Sequence, residues 1–366
     1  KELSHSFKAV QKPVLKYVID EDDIGRLSWV VRVLKQEQQL FEPYDVYFDA
    51  LSHEFYMSIP INRRSLYRYV FDDHYSTLLP GNLVRSEGGP PTSDNSVNEA
   101  YDNAGNCYNF YYNVFGRDSY DDQGSPINSS VHYSVNYNEC FWNGEQMVYG
   151  DGDGVHFSNF TNDLSVICHE LSHAVTQYSS NLRYYGESGA LNEGFSDIMS
   201  SSSVIYTENP NNERVDPATS WLIGANSTLF KINPVGCFDC PLAVRFMNNP
   251  ELDGTSRAWY PDRMRGTADN GGVHENSGIA NLAYVLTVQG GVQPQLKSDE
   301  YVIPVGVTMS QQIYYLGFTH YLGHTSDFVD ARVATVQAAN TLYPDNYQVV
   351  DSTGNAWTAV GVVENN

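Results

Sequence analysis

The sequence predicts an α+β protein with a β-rich front half, a helical back half and a small β meander ahead of both. Three observations predict it. Strand and turn signals rich in Tyr, Asn and Gly fill residues 63 to about 162. Beyond residue 180 apolar residues recur at spacings of three and four, the period of an amphipathic helix. Between the two patterns lies one apolar helix carrying His169, Glu170 and His173, which joins the halves and places a cleft beside itself. The expected units are residues 1–60, 61–180 and 181–366.

In the first unit Val14 to Ile19, Arg26 to Val33 and Tyr44 to Ala50 alternate apolar and polar residues. They read as three strands, separated by Glu21-Asp22-Asp23-Ile24-Gly25 and by a Gln/Glu-rich loop. In the second unit Leu79-Pro80-Gly81 and Gly88-Gly89-Pro90-Pro91 mark loops, with one helix expected near Val97 to Phe115. The joining helix has Leu164, Ile167, Cys168, Leu171, Ala174, Val175 and Tyr178 on one apolar face, and Thr161, Asn162 and Asp163 as N-cap candidates. Further helices are predicted from Ile279, Leu282, Ala283 and Leu286, from Ile313, Leu316 and Tyr321, and from Val329, Val333, Val336 and Ala339.

The chemistry sits on the joining helix. Residues four apart on a helix stand one turn above each other, so His169 and His173 can turn ring nitrogens to one metal ion while Glu170 lies beside them. A core helix with two satisfied histidines is the plain alternative. Tetrahedral zinc needs a third protein ligand, usually from another element. Gly189-Ala190-Leu191-Asn192-Glu193-Gly194-Phe195-Ser196-Asp197 offers Glu193 for that place, with Asp197 one turn on to accept the free N–H of a ligating histidine and Asn192 in the same supporting set.

With these stretches, the segments Phe141 to Gly154 (FWNGEQMVYGDGDG) and Asp269 to Gly278 (DNGGVHENSG) give a chain that resembles the thermolysin-like neutral zinc metallopeptidases over residues 61–366. The resemblance implies one catalytic zinc on His169, His173 and Glu193, with Glu170 as the base that takes a proton from metal-activated water and hands it to the leaving amine. It implies two oxyanion donors, Tyr184 and His274, the latter oriented by Asp269, and an Arg245 that holds a substrate carbonyl. Phe157, Val166 and Val244 fall where the family lines an apolar primed-side pocket, so cleavage on the amino side of Leu, Phe, Ile or Val is implied. The first sixty residues resemble the tail of the family's prodomain, which implies a secreted zymogen.

Two departures from the family pattern stand out. Glu139-Cys140 occupies the place of the usual Asn-Ala at the substrate-binding edge. Ser165, Val204, Leu222 and Ala225 stand where acidic calcium ligands are common, so the double calcium site is expected to be absent, with Asp151 and Asp153 read as turn formers.

Composition sets the outer bounds. With 366 residues, 41% hydrophobic and 13% aromatic, the chain is long enough for two or three cores. A balance of 44 acidic against 21 basic side chains, net −23, argues against nucleic acid or anionic membranes as partners. No apolar run of 18 residues occurs. Sequons at Asn128, Asn159 and Asn226 are candidate glycan acceptors, and a monomer is expected. Of five cysteines, Cys168 is the expected free thiol, Cys237 and Cys240 the expected loop-locking disulfide, and Cys107 and Cys140 the candidate second bridge. The rival to a secreted endopeptidase is a non-catalytic secreted binding protein on the same scaffold.

Overall fold

A computed structural model describes residues 7–9, 14–19, 25–37, 40–60, 66–209, 215–229 and 242–363. The meander is an antiparallel sheet of β1 (Phe7–Ala9), β2 (Val14–Ile19), β3 (Gly25–Glu37), β4 (Leu40–Asp49) and β5 (Phe55–Pro60), with β3 central. The three expected strands are present, but the described part of the Gln/Glu-rich stretch is strand rather than loop. Strand β3 continues to Glu37 and β4 starts at Leu40, because the antiparallel register carries the pairing on to Glu37 opposite Leu40.

The β-rich half is built on β6 (Arg68–Asp72), β7 (Asn82–Ser86), helix α1 (Asn95–Phe115), β8 (Ile127–Val131), β9 (Cys140–Trp142) and β10 (Met147–Tyr149). The strand order is β7-β6-β8-β10-β9, so β9 is an edge strand. Asp94 caps α1 by accepting from the backbone of Ser96 and Val97, and Gly116, at φ 69°, ends it in the left-handed conformation that glycine adopts without steric cost. Meander strand β4 approaches α1.

Helix α2 (Leu164–Gln177) follows, capped by Asp163, which accepts from Ser165 N. Its apolar residues Ile167, Cys168, Leu171, Ala174 and Val175 are all buried. Tyr178, expected on that face, instead forms the C-cap and is 51% exposed, because the helix ends at Gln177. The back half is helical as predicted: α3 (Gly186–Glu208), a short ribbon of β11 (Leu222–Ile223) and β12 (Arg245–Phe246), α4 (Asp269–Gln289), α5 (Val307–Leu316), α6 (Phe328–Leu342) and α7 (Tyr347–Ala359). One continuous hydrophobic core runs from α1 through α2 and α3 to α7.

Cysteine pairing differs from expectation. Cys107 of α1 and Cys168 of α2 form a disulfide, with Cα atoms 5.4 Å apart across the packed helices. Cys168 is therefore not the free thiol, and Cys140 is not the partner of Cys107. Cys140 is the free cysteine among the described residues, because the edge strand turns it toward the cleft rather than toward α1. Cys237 and Cys240 lie outside the described residues.

Candidate metal centre and substrate cleft

Helices α2 and α3 pack side by side and bring His169, His173 and Glu193 together. His169 Nε2 and His173 Nε2 stand 3.0 Å apart, and the Glu193 carboxylate lies 3.3 Å from the first and 3.4 Å from the second. Those separations are close to the edges, about 3.4 Å, of a tetrahedron around zinc with bonds near 2.1 Å. Glu193 Oε2 is buried and accepts no hydrogen bond, which leaves its lone pairs to a cation. The three residues therefore fit a zinc ion.

The outer nitrogens of both rings are tied down. His169 Nδ1 lies 2.9 Å from Asp197 Oδ1, and His173 Nδ1 lies 2.7 Å from Asn192 Oδ1. Each bond fixes a tautomer with Nε2 toward the centre. Asp197 is fully buried and is also gripped by Arg245, whose Nε and Nη2 donate to its two oxygens at 2.8 and 2.7 Å. Burial disfavours its carboxylate, but the guanidinium beside it prevails and holds its pKa below the usual range. Burial likewise works against a charged His169, yet its contact with Asp197 and the Glu193 carboxylate close by outweigh that and lift its pKa to about 10, so proton and metal compete for the same nitrogen.

Glu170 points into the cleft without joining the three. Its Oε2 accepts the backbone N–H of Trp142 at 2.9 Å and its Oε1 accepts the Cys140 thiol at 3.3 Å. Sequence reasoning missed both contacts as supports for Glu170: a backbone N–H leaves no mark in a sequence, and Cys140 was read only as a departure at the substrate edge.

Opposite stand Tyr184 and His274. The Tyr184 hydroxyl donates to Glu193 Oε1 and lies 3.1 Å from His274 Nε2. Burial, and then the Glu193 charge, raise the Tyr184 pKa, so the phenol stays a donor. His274 Nδ1 is 2.6 Å from Asp269 Oδ1, whose other oxygen accepts the His274 backbone N–H. Asp269, Asn270, Gly271 and Gly272 all have positive φ, a left-handed turn that delivers His274 to the cleft before α4 becomes regular. At Gly271 a Cβ would lie 3.0 Å from the Gly186 backbone, so a side chain there would push this turn off the start of α3.

Two hollows meet at this centre. One, of about 880 Å³, runs past Trp142, Gln177, Arg183 and His324. The other, of about 560 Å³, contains Phe157, Val166 and Val244 together with Phe160 and Ile223, and has Glu139, Cys140 and Arg245 on its walls. Every residue expected at the site thus lines the cleft or directly supports one that does. Of the positions considered for calcium, Ser165 is held by hydrogen bonds: its N and Oγ donate to Asp163, which also accepts from Asn226 N, and its Oγ accepts Gly224 N. Asp153 forms the expected turn, accepting from Val155 N and His156 N, while Asp151 pairs with His132.

A helix-borne pair of histidines, a glutamate from the next helix and a second glutamate held beside them in an open cleft define the class of zinc metallopeptidases. Residues 51–177 match the family model for the thermolysin metallopeptidase catalytic domain, and residues 180–362 match the model for its alpha-helical domain. The chain belongs to the thermolysin metallopeptidase family. It is 38% identical over 333 residues to the thermostable neutral protease NprT of Geobacillus stearothermophilus, covering 90% of this chain and 56% of that protein. It is 39% identical over 310 residues to bacillolysin of Bacillus cereus, covering 82% of this chain and 50% of that one. The chain thus spans about half the length of the curated relatives it matches. Among solved structures, the precursor of protealysin, a metalloproteinase from Serratia proteamaculans, superimposes with a TM-score of 0.68 at 34% identity, covering 81% of this chain and 88% of that chain.

Proposed function

We propose that the chain is a zinc-dependent endopeptidase that cuts on the amino side of bulky apolar residues. The observation that carries this reading is the juxtaposition of the His169, His173 and Glu193 cluster with Glu170, which is held by Trp142 and Cys140 rather than by the cluster. Zinc on the three ligands supplies a Lewis acid that acidifies water and polarises a carbonyl.

The remaining steps belong to the protein's own groups. An extended peptide pairs with the open edge of β9, which sets its carbonyls against the cluster. Glu170 takes a proton from water at a carboxylate oxygen and delivers it to the departing amine nitrogen. Tyr184 donates its hydroxyl, and His274 its Nε2–H, to the carbonyl oxygen as it gains charge; removing one such donor typically costs about 3 kcal/mol of barrier. Asp269 fixes the His274 ring. Arg245 keeps Asp197 in place and has Nη1 left to donate to a substrate carbonyl. Phe157, Val166 and Val244 accept the apolar side chain, and such walls discriminate modestly, so the preference is broad.

The reading extends to a secreted setting. A disulfide between two core helices suits an oxidising compartment, and no described helix is long and apolar enough to cross a membrane. Of the three sequons only Asn226 is exposed, which makes it the acceptor we favour for a glycan. The Asn159 amide donates to Ser96 and Glu99, and Asn128 sits within β8. The meander is read as a prodomain remnant.

Metal analysis with a peptide assay tests the core of this. Native protein should bind one zinc and lose turnover to a chelator. Glu193→Ala should lose most of the metal, whereas Glu170→Ala should keep it and lose turnover. Normal turnover in zinc-loaded Glu170→Ala would end the proposal.

A further inference from the structure

The two hollows differ in the one charge each leaves unpaired. In the first, Arg183 is exposed, stacks its guanidinium over the Tyr185 ring at 5.4 Å, and has no carboxylate partner among the described residues. An arginine without an ion pair is notable in a chain with 44 acidic side chains. In the second, Glu139 is exposed and has no cationic partner among the described residues. Its Oε2 accepts the Tyr137 hydroxyl at 2.9 Å, which orients the carboxylate and leaves Oε1 for a ligand. Burial and then that bond push the Tyr137 pKa up to about 12, so the hydroxyl remains a donor.

Other charges on these walls are already satisfied. Arg245 is neutralised by Asp197, and Asp253 accepts from the backbone and hydroxyl groups of Thr255 and Ser256. Glu170 and Glu193 belong to the centre shared by both hollows. A peptide threading the cleft therefore meets a positive wall on one side of the cluster and a negative wall on the other.

We propose that the cleft is electrostatically polarised, selecting peptides with an acidic side chain amino-terminal to the scissile bond and a basic one carboxy-terminal to it. The direction rests on the endopeptidase reading, in which the Val166 hollow takes the residues after that bond. A Lys or Arg just beyond the apolar residue that fills this hollow carries its head on a long aliphatic stem to Glu139 on the wall. On the other side Asp or Glu meets Arg183, whose planar fork suits a carboxylate. Exposed ion pairs have modest strength, so each match is expected to change affinity roughly two- to fivefold, less at high salt.

The test uses two labelled peptides of equal net charge with a central Leu, one carrying Glu before and Lys after it, the other reversed. Equal charge cancels the attraction of the acidic protein as a whole. Binding is read by fluorescence anisotropy on zinc-loaded Glu170→Gln protein, which makes the readout independent of turnover. The Glu-first peptide should bind about tenfold tighter. Arg183→Glu or Glu139→Lys alone should bring the two peptides to about equal affinity, and the double variant should favour the reversed peptide. Equal binding of both peptides by protein that keeps Arg183 and Glu139, or variants that leave its preference unchanged, would overturn the proposal. Cleavage of an Ala-flanked control by native protein tests the endopeptidase reading separately.

Discussion

Asp197 Oδ1 lies 2.9 Å from His169 Nδ1, at the bottom of a fully buried carboxylate that Arg245 neutralises from the other side. The metal ligand is thus held by an ion pair, and its ring cannot turn without breaking a buried contact. Asp197→Ala should weaken zinc binding about 10- to 100-fold by loss of this support. Zinc titration against a competing chelator checks it, and unchanged affinity would show that packing alone orients the ring.

The Cys107–Cys168 bridge ties α1 to the metal helix across 61 residues of chain. Closing a loop of that length removes about 4 kcal/mol of unfolded-state entropy. The double variant Cys107→Ala, Cys168→Ala should lose about 2 to 4 kcal/mol in urea unfolding with zinc kept saturating. A loss under 1 kcal/mol would mean that the packed helices hold each other without it.

His132 sits between Asp151, 2.7 Å from Nδ1, and Asp94, 2.8 Å from Nε2. The Asp151 hydrogen bond, opposed by burial and aided by Asp94, raises its pKa from 6.5 to about 9. A raised histidine stabilises while it is charged, so the contribution is complete below pH 6.5 and is lost as pH rises through about 9. Its size is about 3 kcal/mol. Unfolding free energies should fall by more between pH 6 and 9.5 in the native protein than in His132→Gln, and parallel pH profiles would refute the assignment.

Calcium should matter little to stability. Ser165, Val204, Leu222 and Ala225 supply no carboxylate, and the loop near Asn226 is closed on Asp163 by backbone donors. A tight site would add about 2.7 kcal/mol at a hundredfold excess of ion. Melting curves with millimolar calcium and with a calcium-selective chelator, zinc held constant, should coincide. A shift above about 5 °C would reveal a site elsewhere.

Local periodicity made much of this protein legible in its sequence. Side chains four apart on a helix must share a face, so His169 with His173, and Glu193 with Asp197, could be paired before any tertiary contact was known. Three of the five meander strands, α1 and most of the helical back half followed from local patterns in the same way, although β1 and β5 went unread, as did α7, where Tyr347 to Ala359 carries small and polar residues among its apolar ones. The tertiary structure decided what spacing cannot encode. Five cysteines allow several pairings, and only the packing of α1 on α2 selected Cys107 with Cys168 and left Cys140 beside Glu170. The Trp142 N–H on Glu170 is a backbone group that every residue but proline shares, so no letter announces it. Glu139 and Arg183 look like ordinary surface charges in one dimension. Their opposition across the cluster exists because an edge strand and the loop between α2 and α3, 44 residues apart, meet around one cleft.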